Sequence, residues 1–224
     1  ALPAGFTASG RVVLNGRDIS ALPTAERRIG LLFQDDVLFP HLSVGGNLGF
    51  ALPAHRPDRK DRIEAALASA GLAGLADRDP ATLSGGQRAR VALLRCLLAE
   101  PRALLLDEPF SALDFQTRLV LQGDVRRIIR DRNKSAILVT HDIGEAVAMA
   151  DRVLVLSHRP GTVKAIYDID LCVAEDDPIA LRRSSRFNDH FDAIWNDLFA
   201  RQMDVLPGRA ASAFMAGLQK LNLN

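Results

Sequence analysis

The chain is short of cysteine, has no net field of one sign, and contains no apolar run long enough to cross a membrane. Its two cysteines, Cys96 and Cys172, show no metal-type spacing, and Cys96 falls in an apolar helical pattern that suits a buried thiol. A cysteine-built metal centre is therefore excluded, and a reducing compartment is the expected setting. With 28 basic against 27 acidic residues the formal charge is +1, so nothing global favours nucleic acid or an anionic membrane. Any anion must be held locally. The most apolar region, Val91 to Leu106, is interrupted by Arg95, Glu100, Pro101 and Arg102. Internal repeats, low-complexity tracts and a signal-peptide pattern are also lacking. What is present is 224 residues, 48% of them apolar, enough to build the core of one large domain or two small ones.

Val12-Val13-Leu14, Asn15-Gly16 and Arg17-Asp18-Ile19 predict a short antiparallel hairpin, because Asn-Gly accepts the positive φ angles of a type I′ turn. Ile29 to Phe33 predicts a buried strand ending at Gln34. Helical spacing of Ile63, Leu67, Ala70 and Leu72 predicts a helix within 59–76. Ser84 with Gln87 has the form of a capping box opening a helix through Leu98, and Pro101 stops it. Ala103 to Leu106 and Ala136 to Val139 read as parallel strands covered on both faces, joined by a helix over 117–132 in a right-handed crossover. A helix at 143–150, strands at 152–156 and 163–169 and a Pro160-Gly161 turn follow. Beyond Asp170 an acidic linker near 175–178 leads to helical patterns at 187–199 and 210–218.

In open parallel sheets ligands bind beyond the carboxyl ends of the strands. Those ends here carry Gln34, Asp107-Glu108 and Thr140-His141. Two adjacent carboxylates at the mouth of a buried sheet suit nucleotide hydrolysis: one holds the Mg²⁺ bridging β- and γ-phosphates, and the next orients and deprotonates the attacking water. Taken alone, such a pair also suits a solvated helix start. Leu83-Ser84-Gly85-Gly86-Gln87 places two glycines and a serine at a helix N-terminus, where free N–H groups favour an anion. An ordinary capped helix has the same form. A neutral imidazole at His141 could donate to a phosphate oxygen. The histidines at 41, 55, 158 and 190 have no comparable context.

Leu83 to Gln87, Ala103 to Glu108, Ser111-Ala112-Leu113-Asp114 and Thr140-His141-Asp142, in that order, resemble the ATP-binding subunit of ABC transporters, over about residues 10–171. The resemblance implies an α/β fold with a P-loop NTPase-like (RecA-like) parallel sheet, a helical signature subdomain at about 42–100 and a partial antiparallel β subdomain. Residues 1–171 would form the nucleotide-binding domain, N-terminally incomplete, and 172–224 a helical extension whose last part, 198–224, has no named role. It further implies Asp107 as the Walker B aspartate, Glu108 as general base, Gln34 as the Q-loop glutamine near Mg²⁺, and His141 as the switch histidine. Ser84, Gly85, Gly86 and Gln87 would contact ATP held by an opposite subunit, with Arg88 and Arg90 extending the match and Asp114 crossing the dimer interface. ATP and Mg²⁺ are the implied cofactors. The implied partners are a second nucleotide-binding subunit, identical or not, and transmembrane permease subunits, with no nucleic acid, at the cytoplasmic face of the membrane. The loop 36–47, with Val37, Leu38, Phe39, Leu42 and Val44, would dock the permease or pack beneath the helical subdomain.

The family's glycine-lysine loop, G-x-x-x-x-G-K-[ST], which cradles the phosphates, is not in this sequence. Gly5-Phe6-Thr7-Ala8-Ser9-Gly10-Arg11-Val12 has its glycine spacing but lacks the lysine and hydroxyl, and continues as a hairpin rather than a helix. Ala1 thus resembles a point just past that loop's helix, and the expected activity of these residues alone is feeble or nil. Residues 21–113 look most like thiamine or polyamine importer ATPases, and 115–171 more like the nitrate, sulfonate and taurine group. A non-catalytic module completing a partner's site is the second reading. A soluble ATPase of DNA repair or translation is the third, disfavoured by the lack of coiled-coil insertions and of a basic stripe.

Overall fold

The computed structural model describes residues 9–34, 37–111, 113–158, 161–171 and 178–203. The linker at 175–177, Cys172, Pro160 and the helical pattern at 210–218 lie outside the described residues. The chain divides into two compact units, 1–139 and 140–224.

In the first unit, β1 (Val13–Leu14) and β2 (Arg17–Asp18) pair antiparallel. Asn15 and Gly16 take φ of 51° and 75° between them, as the turn type demands. The sheet that follows has the order β3-β4-β5, from β3 (Ile29–Leu32), β4 (Ala103–Asp107) and β5 (Ser135–Val139), all parallel. Between β3 and β4 the chain builds a helical layer: α1 (Val44–Gly49), α2 (Arg59–Ser69) and α3 (Gly85–Leu98). Val44, Leu48, Leu67, Leu72 and Val91 are almost completely buried and form its core. The helix predicted within 59–76 ends at Ser69, because Gly71 at φ 68° leaves the helical region. α4 (Phe115–Asp131) crosses from β4 to β5.

Register makes the two faces of the sheet unequal. Leu32 and Leu106 share a row on one face, and Leu104 lies on that face at 0% exposure. Gly30 belongs there too, since a Cβ on it would meet Cys96 Sγ of α3 at 2.6 Å. The alternate row, Leu31↔Leu105↔Ile137, points the other way, and Ile137 and Val139 are 63% and 56% exposed. The expectation of strands covered on both faces is thus corrected. β4 is a central strand, whereas β5 is an edge strand whose outer side chains nothing among the described residues covers.

The second unit holds α5 (Ile143–Met149), the antiparallel pair β6 (Arg152–Leu156) and β7 (Val163–Asp168), α6 (Pro178–Arg183) and α7 (Ser185–Met203). Phe187, Phe191, Trp195 and Phe199 recur every fourth residue of α7 and stack in sequence, with ring centroids 4.3–6.4 Å apart. They pack with Val147, Val155, Leu181 and Ile194 in one core.

Candidate functional site

Strand ends position three of the sequence-predicted residues. Because β3 and β4 are parallel and in register, Gln34, two residues past β3, and Asp107-Glu108, closing β4, emerge at the same sheet edge. Nε2 of Gln34 donates to Oε2 of Glu108 at 3.4 Å. Asp107 and Gln34 are exposed and Glu108 is half-buried, so both carboxylates are accessible. Glu108 has φ 45°, a left-handed conformation that a side chain adopts only under constraint. Three backbone contacts supply that constraint. The Glu108 N–H donates to the Val139 carbonyl of β5 at 2.9 Å, and the Glu108 carbonyl accepts from the Ser111 N–H and hydroxyl at 3.2 and 2.9 Å. The strained backbone was not readable in Asp-Glu-Pro, since glutamate carries no turn preference that would signal it.

These donors fit Mg²⁺ in kind. They are oxygen ligands only, and among the described residues no cluster of three or more His, Cys, Asp or Glu forms a closed cage. Mg²⁺ characteristically takes one or two carboxylates and completes its octahedron with water and phosphate oxygens.

At the start of α3, Ser84 Oγ accepts from the Gln87 N–H at 3.2 Å and Gln87 Oε1 accepts from the Ser84 N–H at 2.9 Å, so the predicted capping box is formed. Gln87 spends its side chain on this cap. Arg88 donates to the Leu83 carbonyl and Arg90 to the Ala70 carbonyl, bracing the preceding loops. Gly85 and Gly86 are not required by packing: a Cβ on Gly86 would meet Leu113 and Thr117 side chains at 3.5 and 3.6 Å, ordinary contact distances. Asp114 caps α4, its Oδ1 accepting from the Thr117 N–H at 3.0 Å, and this hydrogen bond holds its carboxyl below the usual range. In the second unit, His141 is exposed, immediately before Asp142, whose Oδ1 caps α5 by accepting from the Glu145 N–H at 2.9 Å.

A chain of this construction has relatives. A family model described as ABC transporter matches residues 3–111. The uncharacterized ABC transporter ATP-binding protein YtlC of Bacillus subtilis (strain 168) is 42% identical over 192 residues, 84% of this chain and 73% of that protein. The chain belongs to the ABC transporter ATP-binding family. Within that family it is 43% identical over 184 residues to the aliphatic sulfonates import ATP-binding protein SsuB 2 of Burkholderia cenocepacia (strain HI2424), covering 81% of this chain and 67% of the relative. It spans about half the length of the sulfate/thiosulfate and spermidine/putrescine import ATP-binding proteins it also matches. The dimeric ATP-binding cassette MJ0796, solved in a post-hydrolysis state with ADP and Pi, superposes with a TM-score of 0.64 at 29% identity, over 72% of this chain and 74% of that one. The P-loop NTPase type of parallel sheet expected from the motifs is therefore the observed fold.

One organiser was missed in the sequence. Asn47 is completely buried in α1, where its Oδ1 accepts from the Phe39 N–H at 2.8 Å and its Nδ2 donates to the carbonyls of Phe39, Leu42 and Ser43. Arg95 of α3 donates to Asn47 Oδ1 and to the Val37 carbonyl, and lies over the Phe39 ring at 4.9 Å. Together they fix the loop 37–43. Its apolar residues divide: Val44 is core, while Val37 and neighbouring Phe50 are 56% and 68% exposed. An amide set within Val44-Gly45-Gly46-Asn47-Leu48 was the available signal.

Proposed function

We propose that this chain is the ATP-binding and ATP-hydrolysing subunit of an ABC importer, energising solute uptake through a transmembrane permease. The observation that carries the reading is the convergence of Gln34, Asp107 and Glu108 at adjacent parallel strand ends, with the glutamine amide on the glutamate carboxylate. In this reading Asp107, with Gln34, holds Mg²⁺, which when bound neutralises phosphate charge. Glu108 accepts the proton of the attacking water, and His141 donates to the γ-phosphate. The left-handed turn at Glu108 fixes where that carboxylate stands before substrate arrives.

The signature residues belong to a second half-site. Glycine is a poorer helix former than alanine, and neither Gly85 nor Gly86, the first two residues of α3, is needed for fit within this chain. Their value lies in letting an outside group approach the α3 N-terminus. We assign that group to the triphosphate on a second nucleotide-binding subunit, beside which Asp114 stands. The exposed Val37 and Phe50, with Phe39, form the permease-facing surface, at the cytoplasmic side of the membrane; among the described residues no helix is long and apolar enough to cross it. Residues 1–171 serve as the nucleotide-binding domain and 172–224 as its extension.

Residues 1–224 contain no glycine-lysine phosphate loop. On their own they hydrolyse ATP feebly or not at all, and they can still lend Ser84 to Gln87 to a partner's ATP. The test is phosphate release in a mixture with a loop-bearing nucleotide-binding subunit. The ATP turned over in that mixture is held by the partner's loop, so Gly86→Asp, which sets a carboxylate at the α3 N-terminus, is expected to lower release by about 10-fold or more, whereas Glu108→Gln, in the site without a loop, leaves it unchanged. Release unchanged by Gly86→Asp would refute the assignment.

A further inference from the structure

The C-terminal segment reaches the turn that carries His141. α6 packs on α5, with Leu181 and Phe187 buried in the same core as Ile143 and Val147. This seats Arg182 beside α5, its guanidinium over the Phe187 ring at 5.7 Å. Gly144, the second residue of α5, makes the approach possible. The point a Cβ would occupy on Gly144 lies 2.9 Å from one terminal nitrogen of Arg182 and 3.2 Å from Oδ1 of Asp142. Cation and carboxylate therefore flank one bare stretch of backbone, three residues after His141. That same Asp142 oxygen accepts the Glu145 N–H and so sets the first turn of α5. Glu145 is itself buried at 4% exposure, so the helix start concentrates two carboxylates where α6 delivers a guanidinium.

We propose that Arg182 is a positioning residue for His141: it holds the Asp142 cap from outside the helix and so fixes the direction in which the preceding histidine leaves the chain. The reaction then depends on residues of the extension that never touch nucleotide. Gly144 is the space this arrangement requires. Its φ is not positive, so the absence of a side chain there is explained by the guanidinium rather than by backbone conformation. The proposal rests on the reading of His141 as the γ-phosphate contact, but its test requires no nucleotide.

The experiment is performed on residues 1–224. Amide hydrogen exchange of Ile143 to Ala146 and the ring proton–carbon signals of the histidines are followed in wild type, Arg182→Ala, Arg182→Lys, Gly144→Ala and the double variant Arg182→Ala/Gly144→Ala. Arg182→Ala is expected to speed exchange in the first turn of α5 by about tenfold or more and to shift or broaden the His141 ring signal. Exchange in α7 and the ring signal of His190 should stay as in wild type. Arg182→Lys restores the cation and should return both readouts most of the way. Gly144→Ala displaces the flexible end of Arg182, 2.9 Å from the new Cβ, and crowds Oδ1 of Asp142 at 3.2 Å, so it should reproduce the His141 change. With Arg182→Ala in place the Asp142 carboxylate has room to give by a few tenths of an ångström, so the double variant should add little to Arg182→Ala. An unchanged His141 signal in Arg182→Ala, equal loss of protection in α7, or additive effects in the double variant would overturn the proposal. Neither readout involves nucleotide, so these outcomes stand apart from whether His141 contacts a phosphate.

Discussion

Glu108 illustrates how much a single residue hides from its sequence. The chemistry proposed for it is legible in Asp107-Glu108 after four apolar residues, whereas its φ of 45° is held by the Val139 carbonyl, which arrives from β5, and by the N–H and hydroxyl of Ser111 turning back on its own carbonyl. Glycine relieves a left-handed site, so Glu108→Gly should raise the stability of residues 1–224 by about 1 kcal/mol in denaturant unfolding while removing the proposed base. A loss of stability would show that the side chain, not the backbone, dominates there. Asn47 is the converse case: its type hints at a loop, and its burial with bonds to three carbonyls makes it structural. Asn47→Leu should cost about 3 kcal/mol because those groups lose their partners inside the protein. Tyr167 offers a test by pH. Its hydroxyl donates to Asp197, and that carboxylate pushes the phenol up to about 12. Between pH 10 and 12 the unfolded chain releases this proton and the folded chain keeps it. Stability is therefore full below pH 10 and falls as pH rises through 12, and Tyr167→Phe should remove that part of the decline in pH-dependent melts.

At the scale of elements, local signals were read well where the physics is local. The Asn15-Gly16 turn, the Ser84-Gln87 capping box and the strand at Arg152–Leu156 form as their residues dictate. Faces were read less well. Ala136 to Val139 has the uniformly apolar composition of a strand buried on both sides, yet β5 has an open side, because composition reports what a strand tolerates and not which neighbours arrive. For α3 the account predicts opposite effects at adjacent positions. Ser84→Ala should lower stability by about 1 kcal/mol through loss of the cap. Gly86→Ala should leave stability unchanged or raise it by up to about 1 kcal/mol, and should weaken nucleotide-dependent association with a loop-bearing subunit in sedimentation. Association unaffected by Gly86→Ala would mean that the glycines serve no approach.

For the whole molecule, the ordered motifs sufficed to give the family, and the parallel register of β3 and β4 brings Gln34 and Glu108 together from stretches far apart in sequence. The Arg182 contact was beyond reach: nothing in 178–183 distinguishes one arginine from its neighbours until α6 is packed on α5. Leu31, Phe33, Ile137 and Val139 remain exposed on the first unit, so residues 1–224 should bind a hydrophobic dye, and Ile137→Thr with Val139→Thr should reduce that binding without loss of secondary structure. The proposed function, hydrolysis by Gln34, Asp107 and Glu108 with His141 as a phosphate donor, requires a phosphate loop that residues 1–224 do not contain. Its most direct test is magnesium-dependent phosphate release from ATP by residues 1–224 alone, measured beside Glu108→Gln. The account predicts that the two are indistinguishable from background. Turnover by the wild-type residues that magnesium removal and Glu108→Gln both abolish would contradict it.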